Sequence, residues 1–189
     1  MSDPANAMKK NNTIQKFGNK LKIYKDHSEV EGSNYVFFLL SGEKYAVGIE
    51  SVQEIIKPKE ITEIPHMPGF LRGVVNLRGK IVPVIDLRTR FNLPASELTK
   101  SARIVVVRRQ DQVLGLLVDA VLSVQPIPES KIEAVPEMLS GPVASSFFDG
   151  VANLDNVIIA IIDLGKTLRK PPKDNAIQTE GLVQIRKEQ

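Results

Sequence analysis

Gly73-Val-Val-Asn-Leu-Arg-Gly-Lys-Ile-Val-Pro-Val-Ile-Asp-Leu-Arg-Thr-Arg-Phe91 decides the fold, because the chain repeats it. Without a gap it lines up on Gly150-Val-Ala-Asn-Leu-Asp-Asn-Val-Ile-Ile-Ala-Ile-Ile-Asp-Leu-Gly-Lys-Thr-Leu168, with 8 of 19 positions identical. A second pair precedes it: Ile61-Thr-Glu-Ile-Pro-His-Met67 and Ile132-Glu-Ala-Val-Pro-Glu-Met138. A third comes earlier still, Gly48-Ile-Glu-Ser-Val52 and Leu117-Val-Asp-Ala-Val121. The offsets are 77, 71 and 69 residues, in one order. Chance apolar runs do not keep order, so the chain reads as two copies of one β-rich unit packed as a pair. Positions where the copies differ are candidates for function.

Around these blocks the signals are strand and turn. Tyr35–Leu40, the turn Ser41–Lys44 and Tyr45–Ile49 form a hairpin, repeated as Arg103–Arg108, Gln110-Asp111 and Val113–Val118. Val52, Ile55 and Ile56 fall at i, i+3 and i+4, which predicts a helical turn with one apolar face. Gly79 and Asn156 occupy equivalent tight turns that call for positive φ. Asp86 and Asp163 each precede a short helical stretch and read as its N-cap. Five short strands in some 70 residues are best closed as a small barrel, which leaves no exposed edges. The expectation is an all-β fold of two five-stranded barrels with short helices. The first spans about 34–92 and the second about 101–168, with strand exchange between them possible. Residues 1–33, rich in Asn, Lys and Ser, read as a flexible arm with a marginal helix over 13–24; residues 169–189 read as a tail.

Composition narrows the function. Of 189 residues, 42% are hydrophobic, enough for a core, and no run of about 18 apolar residues spans a membrane. No signal-peptide core follows Met1, and the absence of cysteine removes disulfides and thiolate chemistry and suits a cytoplasmic setting. The net charge of +3 comes from the ends: residues 34–165 hold 13 Lys/Arg against 15 Asp/Glu. A nucleic-acid binder concentrates positive charge on its folded body with exposed aromatics, and aromatics are 5% here, so no nucleic-acid partner is expected.

Catalytic signatures are missing. There is no phosphate-cradling loop, no dinucleotide fingerprint and no Ser-His-Asp set. His27 and His66 have no neighbours at ligand spacing, so no metal or cofactor is expected. What remains is asymmetry: Arg78-Gly79 at the turn of the first copy stands against Asp155-Asn156 in the second. Arg78 reads either as a planar fork for a partner's carboxylate or carbonyls, or as a solvated turn arginine. For Val52 and Ile55 the plain reading is core, and for Glu54 it is solvent.

Phe38-Leu-Leu-Ser-Gly-Glu-Lys-Tyr-Ala-Val, Val52-Gln-Glu-Ile-Ile, Ile64-Pro-His-Met-Pro, the Gly73–Arg88 block and Gly115-Leu-Leu-Val-Asp resemble the CheW coupling proteins of bacterial chemotaxis, over about residues 34–168. The resemblance implies two SH3-like barrels in a non-catalytic adaptor. Such an adaptor joins the cytoplasmic tips of methyl-accepting chemoreceptors to the histidine kinase CheA. It is monomeric alone, enters receptor–kinase rings, and lies at the inner face of the membrane without inserting. Matched motif by motif, the receptor-facing set is Val52, Glu54, Ile55, Gly73, Arg78 and Gly79. The kinase-facing segment is Ile132–Met138, with Glu133 and Met138. A CheV-type adaptor would need a receiver domain after position 168, and a kinase-derived domain would follow kinase motifs; neither fits. A coupling protein of a twitching or developmental pathway shares the same physics.

Overall fold

Short β-branched runs separated by turn pairs leave strands as the only elements long enough to build a core. The computed structural model describes residues 14–17, 20–23, 32–58, 61–135 and 147–169. In chain order they form β1 (Ile14–Phe17), β2 (Lys20–Ile23), β3 (Ser33–Leu40), β4 (Glu43–Gly48), β5 (Val52–Ile56), β6 (Leu71–Leu77), β7 (Lys80–Asp86), α1 (Leu87–Arg90), β8 (Arg103–Arg109), β9 (Gln112–Val118), β10 (Ala120–Ile127), β11 (Ile132–Glu133), β12 (Phe148–Leu154), β13 (Val157–Ile162) and α2 (Leu164–Thr167). Two sheets result, ordered β1-β2-β5-β8-β9-β7-β6 and β10-β3-β4-β13-β12-β11. The fold is all-β, and both short helices carry the expected caps. Asp86 accepts from the Arg88 and Thr89 N–H groups at 2.9 and 3.3 Å, and Asp163 from that of Lys166 at 3.0 Å.

The sheets do not follow the division at 34–92 and 101–168. Hairpin β6–β7 of the first copy joins β8–β9 of the second, and hairpin β12–β13 of the second joins β3–β4 of the first. The exchange is reciprocal, and the three sequence offsets reappear in the strand register. The parallel pair Val84↔Gly115 becomes Ile161↔Ala46 under shifts of 77 and 69. The ladder Val52↔Val107 to Ile56↔Ile104, bulged after Val52, becomes Val121↔Phe38 to Gln125↔Tyr35, bulged after Val121. The bridge Thr62↔Val74 becomes Glu133↔Val151 under shifts of 71 and 77. In each copy the segment that follows β5 or β10 thus pairs again with β6 or β12 at the far side of the same sheet, so the sheet curls back on itself.

Three cores follow from strand alternation. Phe37, Ala46, Ile127, Ala152, Ile159 and Ile161 fill one sheet. Val75, Val82, Val84, Ile104, Val106 and Leu117 fill the other. The opposite faces of the same strands, with Val36, Phe38, Tyr45, Ile55, Val105, Leu116 and Ile162 among them, meet in a larger core between the sheets. Tyr45, Phe91, Phe147 and Phe148 form a group of ring pairs there, three tilted and one edge-to-face, with centroids 5.1–6.0 Å apart.

Two sequence readings are corrected. Residues 52–56 are the strand β5, not a helical turn. The i, i+3 spacing is produced by the bulge, which lifts Gln53 out of the ladder and returns Val52 and Ile55 to the inter-sheet core, while Ile56 packs against the core of its own sheet. Within the arm expected over 1–33, residues 14–17 and 20–23 form a hairpin, and β2 pairs antiparallel with β5 (Lys20↔Ile56, Leu21↔Ile55).

Candidate functional site

The candidate site begins at the hairpin β6–β7. Leu77 pairs with Lys80, so Arg78-Gly79 is a two-residue loop, and both members have positive φ, 53° and 81°. A right-twisted hairpin requires this turn geometry. Gly79 adopts it without strain, and its N–H donates to the Asn76 side-chain oxygen at 2.8 Å. Arg78 does not suit it: a β-carbon in the left-handed region costs roughly 1 kcal/mol. The second copy meets the same demand with Asp155 and Asn156, at 51° and 63°, residue types that tolerate it.

Arg78 recovers little of that cost. Its side chain is 66% exposed, and the guanidinium donates to Glu54 Oε2 at 3.5 Å. An exposed pair that long contributes about 0–1 kcal/mol. The Glu54 side chain is only 16% exposed, not the solvated residue expected; its carboxylate lies against the arginine between β5 and the turn. Glu54, Arg78 and Gly79 are therefore brought together, whereas Val52, half-buried, faces the inter-sheet core with Ile55.

Ile55 and Gly73 belong beneath the surface. Ile55 has no exposed area and packs in the inter-sheet core. Gly73 is buried at the β6 bulge with φ 143°, and a β-carbon there would come within 2.3 Å of the Thr62 carbonyl oxygen. Gly150, its counterpart, faces the Glu133 carbonyl oxygen at 2.7 Å in the same way. Both glycines admit the returning segment that curls the sheet, so Gly73 shapes the site and offers it no contact surface.

On the second sheet, Glu133 is exposed on β11, the edge strand, opposite Val151. Met138 lies outside the described residues. Met67, its counterpart under the 71-residue offset, is exposed in the loop before β6. One surface residue escaped sequence reasoning: Ile81, 74% exposed, stands opposite Asn76 on the Arg78 hairpin. The signal was the adjacent apolar pair Ile81-Val82 at a strand start, one of which must face outward.

Two other arginines tie the halves together. Arg88, on α1, grips Asp119 through two hydrogen bonds of 2.7 and 2.6 Å, and the Ser41 N–H reaches the same carboxylate at 2.7 Å. Burial pushes the Asp119 carboxyl up, but the Arg88 and Ser41 hydrogen bonds and the Arg88 charge outweigh it and hold it below its usual value. Arg90 lies between the Phe70 and Phe147 rings, 4.5 and 4.9 Å from their centroids, and donates to the Thr167 carbonyl at 2.8 Å. Both are struts between elements of the two sheets.

The fold and the site define a class: a β-rich docking module in which two repeated, strand-exchanged sheets display one arginine-bearing hairpin turn. The family model described as "CheW-like domain" matches residues 34–171, and the chain belongs to that family. It is 34% identical over 146 residues to the chemotaxis protein CheW of Bacillus subtilis (strain 168), covering 77% of this chain and 93% of that one. It is 32% identical to the chemotaxis protein CheW of Helicobacter pylori, covering 77% and 87%. The crystal structure of the scaffolding protein TtCheW from Thermoanaerobacter tengcongensis is similar, with a TM-score of 0.66 and 41% identity over 70% of this chain and 90% of that one. Among the described residues no helix is long and apolar enough to cross a membrane.

Proposed function

We propose that this chain is a non-catalytic chemotaxis scaffold that couples chemoreceptor tips to the histidine kinase CheA in arrays at the inner face of the membrane. The observation that carries the receptor half of this reading is Arg78. A residue poorly suited to its backbone, held by one long ion pair, is retained where the other copy has Asp155-Asn156. The φ of 53° recurs at Ser41 and Gln110 in the equivalent place of two other hairpins, so what distinguishes Arg78 is an exposed planar fork with only a weak partner inside the molecule, suited to a contact outside it. A receptor tip is a helical hairpin, and the exposed Ile81 on the Arg78 hairpin offers it an apolar contact beside the charged pair of Arg78 and Glu54. The kinase's CheW-like regulatory domain docks at the opposite sheet, through the edge around Glu133 and onward to Met138. Membership of the CheW-like family and similarity to proteins named as chemotaxis CheW support this assignment.

Calorimetry against a purified receptor signalling fragment tests the receptor site. Truncating a desolvated interface arginine commonly costs on the order of 2 kcal/mol, so Arg78→Ala should weaken binding at least about tenfold, and Asp155→Ala should change it little. Equal affinities for Arg78→Ala and the parent protein refute the assignment. A second reading is a coupling protein of a chemotaxis-like pathway. It draws on 29% identity over 99 residues to the protein PilI of Pseudomonas aeruginosa. That match covers 52% of this chain and 56% of that one, less than the CheW matches. The receptor that co-purifies from the native cell separates the two.

A further inference from the structure

Two strands of the larger sheet, β1 and β2, have no counterpart in the repeat. Strand β5 gives one edge to β8 and the other to β2, whereas its equivalent β10 pairs with β3 and ends its sheet. The added hairpin lies outside residues 34–171, the span of the matched family, and it sits on the sheet that carries the Arg78 turn. Its sequence suits the role: Gly18-Asn19 separates two four-residue strands, and residues 14–23 hold three lysines and no acidic residue.

We infer that the N-terminal hairpin β1–β2 is a detachable clasp on the edge of β5 that β8 does not occupy, and that it obstructs partner docking at Glu54 and Arg78. This rests on the receptor reading above. Two dimensions support the obstruction. β2 runs about 4.8 Å from β5 beside Ile55 and Ile56, which follow Glu54 by about 3.3 Å per residue. A helix that reaches Glu54 from the β2 side of β5 is about 10 Å across, so it meets the hairpin backbone. Two register pairs join β2 to β5, against four within the hairpin. Such a short ladder opens without unfolding the sheets. The partner therefore binds the open fraction, and its apparent affinity falls by that fraction.

The test is Leu21→Pro in the full chain, which places a ring and no N–H at a residue paired to both Lys16 and Ile55. Deletion of residues 1–24 serves as the second variant. Each is titrated with a receptor signalling fragment beside the parent protein and Arg78→Ala. The expected result is at least threefold tighter binding by either variant, with the rest of the strand signal retained in circular dichroism and faster hydrogen exchange at the one amide of Ile55 and Ile56 that faces β2. Unchanged or weaker binding by the folded deletion variant overturns the clasp while leaving the receptor site in place. Parent affinity that ignores Arg78→Ala removes the receptor reading and the clasp with it.

Discussion

Arg78 can be separated from stability by one substitution. Asparagine tolerates a φ of 53° better than arginine does and gives up only the 3.5 Å pair with Glu54. Arg78→Asn should therefore leave thermal stability unchanged or raised by up to about 1 kcal/mol, while binding of a receptor fragment falls. A loss of stability equal to the loss of affinity would show that the arginine serves the fold. Ile55 behaves in the opposite way: fully buried in the inter-sheet core, it should lose about 2–5 kcal/mol on truncation to alanine, seen in denaturant unfolding. At this scale the sequence identified the turn but not the depth of Gly73. The Arg78 asymmetry and the positive φ of Gly79 and Asn156 were legible, because turn chemistry is local. Core was the plain reading for Ile55; the depth of Gly73 was not legible, because it depends on the return of the Thr62 segment to the sheet edge.

Elements were legible where one residue type admits one conformation. Gly73 and Gly150 mark bulges at which the returning segment passes close, and Gly73→Ala should cost on the order of 3 kcal/mol, from strain at φ 143° and contact with Thr62. A Gly73→Ala protein that melts with the parent would contradict the close approach. The Asp86 and Asp163 caps and the hairpin turns were equally readable. β5 was not, because a bulge reproduces i, i+3 spacing in an extended chain. The N-terminal hairpin was missed although Gly18-Asn19 between Phe17 and Lys20 is a turn signal, since lysine-rich flanks resemble a solvated arm.

The whole molecule is joined by exchange. Two similar copies satisfy the same registers whether each hairpin stays at home or crosses over, so the repeat alone does not choose between them. The observed crossover means that neither residues 34–92 nor 101–168 contains a complete sheet. Each half expressed alone should remain unfolded, and the parent chain should unfold in a single transition. Two separate transitions would contradict the shared core. The Arg88–Asp119 strut adds a pH dependence. The folded Asp119 carboxyl lies below its unfolded value, so its stabilisation is complete above about pH 4 and is lost as pH falls further. Acid unfolding of Arg88→Ala should accordingly be shallower than that of the parent. The central claim, that one end of this molecule holds a receptor while the other holds a kinase, is tested most directly by autophosphorylation of CheA in a reconstituted mixture with receptor fragment. The parent chain should place the kinase under receptor control, Asp155→Ala should do the same, and Arg78→Ala should abolish that control. Full receptor control of the kinase with Arg78→Ala would contradict the account.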